Sequence, residues 1–221
     1  MKSFLLPAAA WPVLRKAAVL SLTGALIAGA FGILHDQITY TISPEYFTRL
    51  KFDQFRAADF GFPTRVFVAE IGFLATWWVG LIAAWFLARI ALPKFQSPEK
   101  RVLLAMVVIV GITSLFAVIG YFIGPSLFGS RSDWRDALDS LGVADTTAFN
   151  RVAAIHLGSY AGAVLGWIAM MVKLARCQPP GTPTSPADSQ FVRVLSEPRD
   201  TCLPCIKEIE AELRRVRGDE P

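Results

Sequence analysis

The chain has 221 residues, of which 53% are hydrophobic and 18% are charged, and its formal net charge is +4. The hydrophobic residues are concentrated in long blocks, whereas a soluble domain disperses them with helical or strand periodicity. Lysines and arginines flank these blocks and form no continuous basic stripe, so binding to nucleic acid is not expected. All three cysteines follow the last block, which excludes a disulfide framework across the chain.

Four segments are long and apolar enough to cross a lipid bilayer, which takes about 20 residues in a helix. They cover approximately residues 17–34, 66–92, 102–123 and 152–174. We therefore predict an all-α fold, an integral membrane bundle of four transmembrane helices that occupies residues 1–176. Ala28-Gly29-Ala30 has the form of a signal-peptide cleavage site. The apolar run continues beyond it, which favours an uncleaved first helix.

Positive charges near the helix ends predict the orientation, because positively charged loops stay in the cytoplasm. They precede the first segment, fill the link between the second and third, and follow the fourth. We therefore expect both termini in the cytoplasm and the two longer loops, residues 36–64 and 125–150, outside. The bias is modest, since the two outer loops also contain arginines, namely Arg49, Arg56, Arg131 and Arg135.

Small residues recur at fourfold spacing in the predicted helices, as at Gly158, Gly162 and Gly166 in the fourth. Helices in lipid associate by close backbone contact through such residues. Packing inside one bundle is the favoured interpretation, because the first helix has a similar series at Gly24, Ala28 and Gly32. The alternative is that the three glycines of the fourth helix bind a protein partner or form a homodimer.

A short helix is predicted in the first outer loop, where Ser43-Pro44-Glu45 has the form of a helix start. Serine is a preferred N-cap, proline fits the first helical position, and a carboxylate is favoured by the helix dipole. The residues that follow mix aromatic, apolar and basic side chains, which is typical of a helix at a membrane interface. They are Tyr46, Phe47, Arg49, Leu50, Lys51, Phe52, Phe55 and Arg56.

The run from His35 to Thr48, HDQITYTISPEYFT, resembles a segment that follows the first helix of uncharacterised multi-pass membrane proteins of bacteria. The stretch from His156 to Gly166 is similar to these proteins as well. The resemblance implies a bacterial protein of the inner (cytoplasmic) membrane with an important outer loop. It implies no activity.

Residues 177–221 differ in composition from the rest of the chain. A proline-rich run at residues 178–186 predicts a flexible linker, and acidic residues followed by basic ones predict a short solvated helix in a cytoplasmic tail. Cys202 and Cys205 form a C-x-x-C pair, which could serve redox exchange or, together with Cys177, bind zinc. Two reduced thiols are the favoured interpretation, because no thioredoxin-like pattern surrounds them.

Several ionisable residues converge on the predicted outer end of the bundle. His35 and Asp36 end the first segment, while Glu70 and His156 each lie about one turn inside theirs. Glu45 on the short helix could fold over them. Ionisable residues at membrane depth indicate function, and imidazole and carboxylate groups suit a divalent transition metal.

Three interpretations of this polar cluster stay open at the sequence level. A set of interhelical hydrogen bonds, which Arg65 could join, is favoured over a metal site and over a proton or ion path. No H-E-x-x-H or E-x-x-H spacing is present, so every metal ligand would come from a different element. Haem is not favoured, because His35 lies at a helix end beside the charged Asp36.

Motifs for nucleotide binding and for a serine nucleophile are missing, and no complete catalytic constellation can be identified. Beyond the lipid bilayer itself, two classes of function remain. The favoured class is an accessory, assembly or partner-binding membrane component. The alternative is a small membrane enzyme, or an ion- or metal-handling protein, that uses the polar cluster.

Overall fold

A computed structural model describes residues 11–129 and 131–177 of the chain. The predicted tail helix, Cys202 and Cys205 lie outside these residues. All regular secondary structure in the described part is helical, which confirms the all-α prediction.

Within the described residues, four helices are long and apolar enough to span a membrane, as predicted. They are α1 (Trp11–Ile42), α4 (Thr64–Ala91), α5 (Pro98–Gly129) and α7 (Thr146–Arg176). The chain is therefore an integral membrane protein with a four-helix architecture.

Several predicted helix ends were wrong, including the starts of α1 and α7 and the ends of α1 and α5. Helix α1 continues two turns past Leu34, so His35 and Asp36 lie inside the helix and not at its end. Residues 35–42 contain no glycine or proline, and the helix stops where Ser43 precedes Pro44, since a residue before proline disfavours helical geometry. Helix α5 continues through Pro125 to Gly129, because membrane helices tolerate an internal proline.

The four long helices form two close pairs, α1 with α4 and α5 with α7. Glycines bring the backbones into contact. A methyl group at Gly32 would overlap the carbonyl oxygen of Gly72, and one at Gly158 would overlap that of Phe116. Gly162 also faces α5 of the same chain. These contacts are the packing favoured above, while binding of a partner protein or a second copy through α7 stays a prediction.

Apolar side chains fill the space between the helix pairs near the α4–α5 link. We call this region the closed half of the bundle. Its fully or nearly buried residues come from all four long helices and the link. They are Ala17, Leu20, Ala83, Ala84, Leu87, Ala88, Ala91, Phe95, Val102, Ala105, Met106, Ile109, Met170 and Leu174.

The opposite end of the bundle carries a cap segment, defined as residues 44–58. It runs through α2 (Pro44–Tyr46), a π-helical turn (Phe47–Lys51), α3 (Phe52–Gln54) and a 3-10 turn (Arg56–Ala58). Ser43 occupies the predicted N-cap position, but its side chain makes no capping hydrogen bond.

The cap segment packs against α6 (Ser132–Ser140), a helix that the sequence did not predict. Tyr46 and Leu50 contact a small core formed by Leu138, Val143 and Phe149. Phe47 and Lys51 are buried as well. The predicted short helix therefore exists, but it buries part of its aromatic and basic face in the protein.

Candidate functional site

A buried ion pair joins the cap segment to α1. The Nζ atom of Lys51 donates to Oδ2 of Asp36 at 2.8 Å. Asp36 is 2% exposed and Lys51 is 5% exposed, so water screens neither charge. The π-helical turn places Lys51 four residues after Phe47 with both side chains buried, and such turns are frequent at functional sites.

His156 on α7 completes a trio with these two residues. Its Nδ1 atom lies 2.9 Å from the carbonyl oxygen of Val152, and its Nε2 atom lies 3.2 Å from Oδ1 of Asp36. A carbonyl oxygen can only accept, so Nδ1 carries a hydrogen. The second contact then requires one more proton, held between His156 and Asp36. The trio of Asp36, Lys51 and His156 is thus fully hydrogen-bonded through both carboxylate oxygens.

Aromatic rings enclose the trio. Tyr46 stacks on the His156 ring with centroids 4.9 Å apart, and His35 meets it edge to face at 4.8 Å. Burial raises the pKa of the Tyr46 hydroxyl above its ordinary value. Burial lowers the pKa of the Lys51 ammonium from its ordinary value, and the Asp36 carboxylate opposes that shift. The surroundings are therefore of low polarity, and they strengthen each electrostatic contact inside.

His35 has a buried nitrogen, Nε2, that makes no hydrogen bond to the described residues. The ring packs against Phe31 and against His156. A buried polar atom without a partner costs roughly 1–3 kcal/mol, so this nitrogen indicates a place for a further group.

A pocket of about 270 Å³ extends from this polar cluster into the bundle, between the two helix pairs. We call this region the open half. Along α7 the pocket walls run from His156 to Trp167, about 16 Å at the rise of an α-helix. Below the cluster the walls are almost wholly apolar. Near the far end the indole Nε1 of Trp167 is buried with no partner in the described part of the chain.

The pocket opens between α4 and α7. Trp78, Val79 and Ile82 on α4 and Tyr160 and Val164 on α7 line it, and each of these side chains is also exposed on the outside of the bundle. Both helices have the length and apolar character of membrane spans. The opening therefore faces the level of the lipid chains.

Glu45, predicted as a member of the site, lies outside the trio. Its carboxylate accepts from the backbone N–H groups of Ala144 at 3.0 Å and Asp145 at 2.8 Å. These two groups hold the pKa of the Glu45 carboxyl below its ordinary value. Glu45 thus ties the cap segment to the start of α7.

Glu70 and Arg65 also lie apart from the trio. Glu70 does not line the pocket, and its Oε2 atom is buried without a partner within the described residues. Arg65 donates to the backbone and side chain of Gln37 and to Thr41, so it clamps α4 to α1. Of the five predicted site residues, the structure brings together His35, Asp36 and His156.

These three residues offer ligand atoms that lie within 4.8 Å of one another, a grouping that could hold a metal ion. Lys51 already occupies Oδ2 of Asp36, and His156 directs Nε2 to Oδ1. A metal ion would have to displace the ammonium and remove the shared proton. The metal prediction for His35, Asp36, Glu45, Glu70 and His156 therefore stays a prediction, with Lys51 as its competitor.

The sequence did not single out Lys51 or Tyr46 as parts of the site. Lys51 has a weak signal, because it follows the aromatic Phe47 by four residues and so shares a helix face with it. Trp167 follows His156 by eleven residues, or about three turns, which places both on one face of α7.

Comparison of the chain with models of known protein families, with curated proteins and with solved structures found no match. The resemblance of residues 35–48 to bacterial membrane proteins stays a prediction.

Proposed function

We propose that the chain binds an amphiphilic, lipid-like molecule within the membrane. The polar head of that molecule lies at the trio and His35, and its apolar part lies in the pocket. The observation that carries the proposal is an apolar pocket that ends at a buried polar cluster with an unpartnered nitrogen, His35 Nε2.

The position of the pocket supports a ligand that arrives from the bilayer. Its opening lies between two membrane spans, so an amphiphile can enter sideways without crossing water. An engineered protein cavity of about 150 Å³ binds benzene. A pocket of about 270 Å³ therefore has room for a head group and the first part of a chain.

The energetics of the trio support binding over a purely structural role. Replacing a buried ion pair by apolar side chains of similar size is often neutral or stabilising. The closed half shows that this bundle packs well with apolar side chains alone. Charges retained at membrane depth in the open half are therefore better explained by a ligand than by the needs of the fold.

A matched pair of substitutions on α7 tests the proposal. Ala163 lines the pocket, whereas Ala161 is exposed on another face of the same helix. We expect Ala163→Phe to fill the pocket and Ala161→Phe to leave it open. Wild type and both variants would be purified in lipid nanodiscs, and bound small molecules would be identified by native mass spectrometry.

The expected result is an amphiphile retained by wild type and by Ala161→Phe and reduced at least several-fold in Ala163→Phe. Ala75→Phe fills the pocket from α4 and should repeat the loss. Equal retention by all four proteins would contradict the proposal. Metal content measured on the same samples tests the competing metal site, since a stoichiometric metal lost on His35→Phe would favour metal binding instead.

For the membrane and orientation, we propose the bacterial inner membrane with both termini in the cytoplasm. The positive charges around the α4–α5 link and at the end of α7 support this orientation. The trio and the cap segment would then lie at the outer end of the bundle. Labelling of single cysteines in intact cells tests it: a cysteine at Phe60 should react with an impermeant reagent, and one at Lys100 should not.

A further inference from the structure

The hydrogen bonds of the polar cluster determine which kind of head group it can accept. Both oxygens of Asp36 and both nitrogens of His156 have partners. The groups left for a ligand are His35 Nε2 and the remaining N–H groups of the Lys51 ammonium, which has three. Lys51 and His35 both line the pocket. The Lys51 ammonium can only donate, and His35 Nε2 donates in the tautomer that places its hydrogen there, so a ligand that supplies acceptors satisfies both.

The trio of Asp36, Lys51 and His156 carries a net positive charge. Lys51 contributes a positive charge. The negative charge of Asp36 is matched by the proton that it shares with His156, wherever that proton rests. Among the described residues, no acidic side chain other than Asp36 forms an ion pair with Lys51 or His156. The trio thus holds one net positive charge, and an uncompensated buried charge costs several kcal/mol.

We infer that the ligand is a long-chain carboxylic acid, bound as its carboxylate, with its oxygens on Lys51 and His35 and its chain in the pocket. This inference rests on the proposed function and names its ligand class. A carboxylate supplies only acceptors and one negative charge, which are the two things that the cluster lacks. Charge-assisted hydrogen bonds of this kind are the strong ones in a low-dielectric site.

A neutral head group satisfies the cluster less well. An alcohol of the same chain length can accept hydrogen bonds through its oxygen, but it brings a donor of its own and leaves the positive charge uncompensated. A small inorganic or organic anion compensates the charge, but it buries no apolar surface in the pocket. Each CH₂ group buried tightens binding about fourfold, so the chain and the carboxylate together define the ligand.

The pocket carries its own reporters, because Trp78 and Trp167 line it. Bromine quenches tryptophan fluorescence at short range. The experiment titrates detergent-purified full-length protein with 11-bromoundecanoic acid and, separately, with 11-bromo-1-undecanol, at a pH where the acid is ionised. We expect the acid to bind about tenfold more tightly than the alcohol, which corresponds to about 1.4 kcal/mol.

Three variants identify the source of that preference. Lys51→Met removes the net charge, so it should bring acid and alcohol to similar affinities. His35→Phe removes the free nitrogen while keeping a ring and the charge, so it should reduce the preference for the acid without abolishing it. Arg49→Met removes an exposed positive charge from the same segment and should keep the tenfold preference. Thermal melts of each variant would verify that it is folded.

The titrations distinguish failure of the carboxylate inference from failure of the proposed function. Equal quenching by acid and alcohol in the wild type would overturn the carboxylate inference and leave the proposed function standing. No saturable quenching by either probe would overturn both. Displacement of the bromo acid by sodium formate as effectively as by dodecanoic acid would identify a small-anion site, which also overturns the inference.

Discussion

The closed and open halves of the bundle are built by the same two helix pairs but are filled in opposite ways. In the closed half, alanines and larger apolar side chains from all four long helices and their link occupy the space between the pairs. In the open half, that space holds a pocket and a buried trio of charged and polar side chains. The overall apolar character of the helices does not explain the difference, because all four are apolar enough to be candidate membrane spans.

What differs is the contribution of the cap segment. Within residues 11–129 and 131–177, a short segment folds back into the bundle and inserts Phe47 and Lys51 only at the end opposite the α4–α5 link. A bundle that needed only stability could fill both ends with apolar side chains, as it fills the closed half. Under the proposed function, the open half is the part of the molecule that gives up stability for binding, a pattern that is common at functional sites.

The largest expected loss of stability follows removal of the Asp36 carboxylate, which lies in the open half. Asp36→Asn leaves Lys51 buried without its counter-charge, and breaking one partner of a buried pair costs about 3–5 kcal/mol. Asp53→Asn is the matched control, because it breaks an exposed ion pair with Arg56 and should cost less than about 1 kcal/mol. The free energy of unfolding in mixed detergent micelles measures both.

The double variant Asp36→Leu with Lys51→Met makes the same prediction stricter. Removing both charges should restore most of the stability lost in Asp36→Asn, since no buried charge is left unpaired. A double variant as unstable as Asp36→Asn would show that the loss comes from packing and not from the unpaired ammonium.

Filling the space between the helix pairs should have opposite effects in the two halves. Ala88 is fully buried in the closed half, so Ala88→Phe should cost about 3 kcal/mol by overpacking. Ala163→Phe inserts the same ring into the pocket and should leave the melting temperature unchanged or higher. Equal destabilisation by both variants would mean that the open half has no usable space.

The effect of a substitution inside a helix pair should depend on how closely the two backbones approach at that position. Gly158→Ala places a methyl group against the backbone of Phe116 and should cost about 1 kcal/mol. Gly166→Ala, two turns further along α7, meets its nearest atoms at 3.4 Å and should be neutral. Thermal melts of the two variants test this, and a neutral Gly158→Ala would contradict the close pairing of α5 and α7.

The smallest effect should be confined to the cap segment. Glu45→Gln weakens the contact with Ala144 and Asp145, so hydrogen exchange in residues 44–58 should speed up while the closed half is unchanged. Because the pKa of Glu45 is lowered in the folded protein, its stabilisation is present above the ordinary value of 4.5 and is lost as the pH falls below it. Wild type should therefore approach the variant in acid.

Glu99→Gln is the control for this experiment. Glu99 pairs with Lys16 at the opposite end of the bundle, and both side chains are exposed. It should leave exchange in the cap segment unchanged at every pH. Protection of residues 44–58 that does not depend on Glu45 or on pH would contradict the role of this carboxylate.

The spans could be predicted from the sequence because bilayer thickness sets the length of an apolar helix. The grouping of His35, Asp36 and His156 could be predicted from their similar depth at one end of the bundle. Lys51 could not, because a lysine among aromatic residues is typical of an interfacial helix, and it is the π-helical turn that buries it. Glu45 and Glu70 lie at a similar depth but do not contact the trio, since depth alone does not determine the direction of a side chain.

The pocket could not be predicted at all. It is a space between two helix pairs, and its width depends on how far the closed half and the cap segment hold those pairs apart. Single residues such as Ala75 and Ala163 carry no sign that they face a cavity and not a neighbouring helix. The same holds for Trp167, whose unpartnered nitrogen is visible only once the packing around it is known.

The most direct test of the account is photoaffinity labelling in native membranes with a fatty acid that carries a diazirine on its chain. Peptide mass spectrometry would locate the adducts. We expect adducts concentrated on pocket residues of α4 and α7, such as Val79 and Val164. Excess dodecanoic acid and the variant Ala163→Phe should reduce these adducts, whereas Ala161→Phe should not. Adducts spread evenly over the outward faces of all four spans, with no effect of either competitor or variant, would contradict the account.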